Sequence, residues 1–230
     1  MGPGYGRYAP TVVPRPAKLE RYRDAEYAAR YDRRWAGARG RRRDLRKGNA
    51  LRAALRCLEA DCGEPVRTLL DAPCGTGRFS ALWEDRGLVP LGADLAHEML
   101  VEARRKHPSA PYLCADMAIL PVPDQGVDAA ICVRFLHLVR EPAQRVDFLR
   151  ELRRVSRLGA VIDYRHSRTL RVWGRRLRHR LGLRETAPSN PSPRELGEEL
   201  RRAGWREIRR IPVHRAPLLS DKVLVVVRPA

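Results

Sequence analysis

Fifteen residues, Val66 to Ser80 (Val-Arg-Thr-Leu-Leu-Asp-Ala-Pro-Cys-Gly-Thr-Gly-Arg-Phe-Ser), constrain this chain more than any other stretch. The apolar pair Leu69 and Leu70 ends abruptly at Asp71, a turn rich in Pro and Gly follows, and Phe79, Leu82 and Trp83 resume at helical spacing. The pattern predicts a strand, a tight loop and a helix N-terminus. Without a Cβ, Gly75 and Gly77 let the backbone take positive φ and approach a bound molecule, whose polar groups would meet the N–H donors of the helix start. A small-molecule cradle formed by Asp71, Ala72, Pro73, Cys74, Gly75, Thr76 and Gly77 is therefore expected.

Three readings of the cradle compete. Gly75, Gly77 and Ser80 approximate a dinucleotide fingerprint, with Asp94 near the distance expected of a ribose-binding carboxylate. Asp71 argues against a dinucleotide, because a carboxylate at the strand tip repels pyrophosphate and favours a ligand with a cationic amino group. A turn without any ligand is the third. The run Asp71-Ala72-Pro73-Cys74-Gly75-Thr76-Gly77 resembles the first motif of the class I S-adenosylmethionine-dependent methyltransferases, with Pro73 where their consensus has glycine. A nicotinamide-dependent oxidoreductase would keep the glycines and Asp94 but has no use for Asp71, and no Tyr-x-x-x-Lys pair accompanies it.

Beyond the loop, strand and helix signals alternate. Val89–Ala93, Pro111–Ala115, Val127–Val133 and Leu158–Tyr164 read as strands, and Glu141–Val155 as a helix with an apolar stripe. Trp205–Val213 and Val223–Arg228 read as a closing antiparallel pair. The resemblance runs from Leu69 to Tyr164 and is to the type-11 or ubiquinone-biosynthesis-like branch; Leu120 to Ala129 is similar to the block that precedes the fourth strand there. It implies an α/β fold, a Rossmann-like, seven-stranded, mostly parallel sheet with helices on both faces and the last strand antiparallel. It also implies S-adenosylmethionine as cofactor.

Residue by residue, the resemblance places Asp71, Gly75 and Gly77 at the methionine part of that cofactor. Asp94, with Leu95 beside it, would take the ribose hydroxyls; a helix cap for Ala96–Arg105 is the structural alternative. Asp116 and Met117 would meet the adenine, or else serve as a turn carboxylate and a core methionine. Arg134 follows the fourth strand at the sheet edge where ligands collect and is assigned to the cofactor, with Phe135 and His137 facing the acceptor. His137 is the candidate catalytic base, since imidazole titrates near neutrality, although similar methyltransferases often carry His here for packing and substrate contact rather than proton transfer. Methyl transfer can proceed by alignment alone.

Composition bears on partners. With 46 Lys and Arg against 27 Asp and Glu, the formal charge of +19 points to anionic company: nucleic acid, acidic lipid or an acidic substrate. Five cysteines without framework spacing suggest reduced thiols in a cytoplasmic protein, with the inner face of a membrane as the other place its arginines fit. No Cys or His cluster has metal-ligand spacing, so no metal is expected. The expected organisation is a disordered tail (1–18), an N-terminal helical extension (19–60) and a methyltransferase domain (61–230) with a basic helical insertion at 165–190.

Within the extension, Tyr22, Tyr27, Tyr31 and Trp35 suggest one helix over Leu19–Trp35, either docked on the domain or acting as a lid. Arg39–Lys47 reads as a solvated helix start or a phosphate patch. Arg165–Arg184 holds eight arginines and no acidic residue, with Leu170, Trp173, Leu177 and Leu181 on one helical stripe. It can close an acceptor pocket through Trp173 and Arg175, lie on anionic lipid, contact RNA phosphates, or pack its stripe on the domain. The expected function is methyl transfer to a small or lipid-linked anionic acceptor. An RNA methyltransferase, an oxidoreductase and a non-catalytic binding module stand as alternatives, and the sequence is silent on oligomeric state.

Overall fold

The computed structural model describes residues 20–183, 185, 190–214 and 221–230; the expected 1–18 tail and part of the 165–190 insertion lie outside them. In chain order the elements are α1 (Ala25–Arg30), α2 (Ala38–Cys62), β1 (Leu69–Asp71), α3 (Ala81–Glu84), β2 (Leu91–Asp94), α4 (His97–Lys106), β3 (Tyr112–Cys114), β4 (Val127–Cys132), α5 (Pro142–Val155), β5 (Ser156–Arg165), α6 (Leu170–Arg180), α7 (Pro193–Arg202), β6 (Trp205–Pro212) and β7 (Lys222–Pro229).

The strands form one seven-stranded sheet in the order β3-β2-β1-β4-β5-β7-β6. Strands β1 to β5 pair in parallel, and β7 runs antiparallel to both β5 and β6. The expected sheet is thus the observed one. Its order reverses between β1 and β4, and the carboxyl ends of β1, β2 and β3 line up along one edge, where open α/β sheets bind ligands. One face is covered by α5 and α7, whose Phe148, Leu149, Leu152, Leu196 and Leu200 meet Ala130, Ile162 and Val225. On the other face α2 lays Leu51, Ala54, Leu55 and Leu58 against Ile131, Val161, Leu224 and Val226.

Three local expectations are corrected. Leu19–Trp35 is not one helix: Asp24 adopts extended backbone and caps α1 by accepting from the Tyr27 N–H, leaving short 3-10 turns at Arg21–Arg23 and Tyr31–Trp35. The segment docks through Tyr22, Tyr27 and Tyr31, which pack edge to face on one another and on Ala96 and Met99. After the Gly loop, successive turns precede a helix of only four residues, α3, so no long helix N-terminus faces the loop. Within Arg39–Lys47, Lys47 is neither solvated nor available to phosphate, for its ammonium lies 2.6 Å from Asp163 in a buried ion pair.

Candidate active site

The three carboxylates lie at the carboxyl ends of neighbouring strands. Asp71 ends β1, Asp94 ends β2 and Asp116 follows β3, and these strands are neighbours in the sheet. Asp71 is 3% exposed. Burial, and secondarily the charge of Asp94, push its carboxyl up to about 7, with Arg78 acting in the opposite sense. A buried carboxyl held this high gains most when a cation arrives beside it. Asp94 is half-buried, and burial raises it too, against hydrogen bonds from the backbone of Ala96 and Gly75.

These hydrogen bonds build the loop. The Gly75 N–H donates to Asp94 Oδ2 (2.8 Å), the Ala96 N–H to Asp94 Oδ1 (2.9 Å), and the Cys74 N–H to the Ala93 carbonyl (2.9 Å). Each Asp94 oxygen keeps a second lone pair for a diol. Gly75 has φ of 57°, and a Cβ there would meet nothing within 4 Å, so the open side of the loop is free for close approach. Gly77, at φ 64°, is packed, a Cβ meeting Ser80 Oγ, Ala103 Cβ and His107 Cδ2 at 3.2 to 3.3 Å. Its role is to let the turn fold back against α4.

Not every predicted residue presents its side chain to this edge. Ala72 and Cys74 are turned into the protein, and Met117 is buried in the core beneath the sheet, which leaves half-buried Asp116 as the exposed member of that pair. Phe135 packs its ring edge to face on Phe148, 5.0 Å between centroids. His137 sits in the 3-10 turn Leu136–Leu138 and lines a small cleft with Tyr164, Arg165 and Asn190. Neither Trp173 nor Arg175 is among the residues that line this cleft. Trp173 is largely exposed to solvent, and Arg175 pairs with Asp221 (2.9 Å).

Sequence reasoning missed Asp32, Arg78 and the placement of Trp35. The Thr76 hydroxyl donates to Asp32 Oδ1 (3.0 Å), and Lys106 lies 2.6 Å from Asp32 Oδ2, tying the N-terminal segment to the Gly loop and α4. Two guanidinium groups lie over the Trp35 ring, Arg78 at 4.1 Å and Arg134 at 4.6 Å from its centroid, a cation–π arrangement. Arg134 adopts φ of 63° and its N–H reaches Asp163 Oδ2. Only the aromatic spacing hinted at this cover; Asp32 meets partners 44 and 74 positions away, beyond any local signal.

Arg165, which lines the cleft with His137, belongs to a cluster in which cations outnumber carboxylates. Arg134, Arg165, Arg175, Lys47 and Lys222 surround Asp163 and Asp221. Burial lowers Arg165 despite both carboxylates, and burial with the neighbouring Arg165 and Lys47 holds Lys222 down to about 8. Among the described residues no group of His, Cys, Asp and Glu could hold a metal.

Sheet order, loop and acidic strand tips are those of the class I S-adenosylmethionine-dependent methyltransferases, and residues 70–162 match the family model described as "Methyltransferase domain". More particular likeness is to the malonyl-[acyl-carrier protein] O-methyltransferase of Serratia marcescens, 39% identical over 118 residues, 47% of this chain and 45% of that protein. The counterpart from Hamiltonella defensa is 40% identical over 94 residues, 41% of this chain and 35% of its own length. The chain therefore spans less than half the length of these relatives. Among solved structures, magnesium protoporphyrin IX methyltransferase from Synechocystis PCC 6803, with bound SAH, superposes with TM-score 0.68 at 16% identity, covering 91% of this chain and 96% of that one. The CcbJ methyltransferase of Streptomyces caelestis gives 0.67 at 17% identity over 91% and 98%. At that identity the two show the fold.

Replacing Asp94 with asparagine should weaken S-adenosylmethionine binding by about 1 to 3 kcal/mol, the range for a hydrogen bond to a charged partner. Calorimetric titration measures it; unchanged affinity would remove the ribose role.

Proposed function

We propose that the chain transfers a methyl group from S-adenosylmethionine to a carboxylate oxygen of an acyl acceptor, of the kind named in its relatives, a malonyl group on an acyl-carrier protein. The observation that carries this reading is the excess of cations over carboxylates around Asp163 and Asp221, from which half-buried Arg165 reaches the lining of the His137 cleft. The residues at the strand tips fit the donor: a high-lying Asp71 for its amino group, Asp94 for its diol, and an open Gly75 for close backbone approach.

Bound S-adenosylmethionine supplies a methyl carbon made electrophilic by a sulfonium. An acceptor carboxylate attacks that carbon, the carbon–sulfur bond breaks with its electron pair going to sulfur, and an uncharged ester and thioether result. No proton has to leave the acceptor. The chain's task is then to hold the carboxylate with Arg165 and align it, and His137 positions the acceptor rather than deprotonating it.

Two measurements test the reading. Label from methyl-tritiated donor should enter malonyl-carrier protein as a base-labile ester, with kcat flat through the imidazole range at saturating donor; a rising limb near pH 6.5, or label entering only RNA or neutral hydroxyls, would contradict it. Arg165→Gln should raise the acceptor KM about tenfold or more and leave donor affinity unchanged, as expected of a lost carboxylate–guanidinium pair.

A further inference from the structure

The basic helix α6 is mounted with its apolar stripe facing outward. Thr169 caps it by accepting from the Val172 N–H, and the helix is fixed to the protein by fully buried Val172 and by the Arg175–Asp221 ion pair. Asn190 donates to the same Asp221 carboxylate. At about 3.6 residues per turn, Leu170, Leu177 and Leu181 fall on the side opposite Val172, with Trp173 at the edge of that side. They are 63%, 65%, 42% and 63% exposed, and Leu183 just beyond the helix is exposed as well. Packing of the stripe on the domain, the ordinary expectation for such a helix, is not what is found. A contiguous strip of large apolar side chains in water costs free energy and marks a docking surface.

Charge identifies the occupant. Arg176 and Arg180 border the stripe on one side and Arg178 on the other, all exposed, and no acidic residue interrupts α6. An apolar strip with an indole and leucines, edged by guanidinium groups, matches an anionic bilayer surface: the side chains enter the acyl boundary while the arginines stay among phosphate headgroups. The formal charge of +19 draws the whole chain in the same direction. An acidic soluble protein would have to present an apolar groove fitted to this helix, a requirement a bilayer does not impose.

We infer that α6 docks this protein on an anionic membrane surface, lying in the interface with Trp173, Leu177 and Leu181 immersed. The inference is independent of which acceptor is methylated. The full-length protein should float with vesicles of phosphatidylglycerol and not with phosphatidylcholine, and salt should release it. In the double variant Leu177→Ser, Leu181→Ser, both sites being exposed, partitioning should fall about tenfold or more while circular dichroism and S-adenosylmethionine affinity stay unchanged. Brominated acyl chains should quench Trp173 in the parent, and Trp173→Phe should abolish that quenching. Failure to float on phosphatidylglycerol overturns the inference. So would equal flotation of the double variant, or a dimer in solution that the variant turns to monomer while neither form binds vesicles.

Discussion

Arg145→Met is expected to destabilise the protein by about 3 to 5 kcal/mol, the cost of stranding a buried charge. Arg145, on α5, is paired with Glu199 of α7 through Nε and Nη2, and its Nη1 reaches the Val139 (2.9 Å) and Arg140 (2.8 Å) carbonyls. The Tyr164 hydroxyl of β5 donates to the same Glu199 carboxylate, and burial together with that carboxylate's charge pushes the phenol far up. One guanidinium thus joins α5, α7, β5 and the turn carrying His137. Removing it leaves Glu199 buried without its counter-charge and two carbonyls without a donor. Urea unfolding measures the loss, and Arg145→Met combined with Glu199→Leu should regain most of it. A single variant within about 1 kcal/mol of the parent would show that water reaches the pair.

The second large effect concerns Asp71. Its carboxyl ionises near 7 in the fold against 3.8 when exposed, so from about pH 4 upward the unfolded chain gives up this proton more readily than the folded one. The folded state therefore loses stability as pH rises, with the penalty absent below the lower value and complete above the higher. Asp71→Asn removes the titrating group. The ligand-free variant should match the parent near pH 4 and exceed it by on the order of 2 to 4 kcal/mol near pH 8, while losing tenfold or more in S-adenosylmethionine affinity. Stability and binding would move in opposite directions. A variant destabilised at every pH would mean that the carboxylate is needed structurally.

Much of this architecture is legible in the sequence. Apolar runs ending in Asp71, Asp94 and Asp116 mark strand tips by chemistry local to each run, and the β-branched run Val225–Val227 announces a buried strand. Other features depend on what lies far along the chain. The stripe on α6 is visible as periodicity, but periodicity does not say which face turns inward; Val172, Arg175 and Asp221 decide that. Arg175 looked like a substrate contact because its partner lies 46 residues away. Resemblance puts Met117, and position after the fourth strand puts Phe135, at the ligand edge; in the structure Met117 is buried in the core and Phe135 is partly buried against it. Asp32 carries no local signal at all, although it anchors the segment that covers the Gly loop.

Acidic strand tips around an open glycine loop are the centre of the account, and calorimetric titration with S-adenosylmethionine and, separately, NADH tests them most directly. The account predicts saturable binding of S-adenosylmethionine alone, with protons released on binding below about pH 7 and affinity falling up to tenfold per pH unit beneath that point as Asp71 protonates. Equal or tighter binding of NADH, or an S-adenosylmethionine affinity flat across that range in the parent protein, would contradict it.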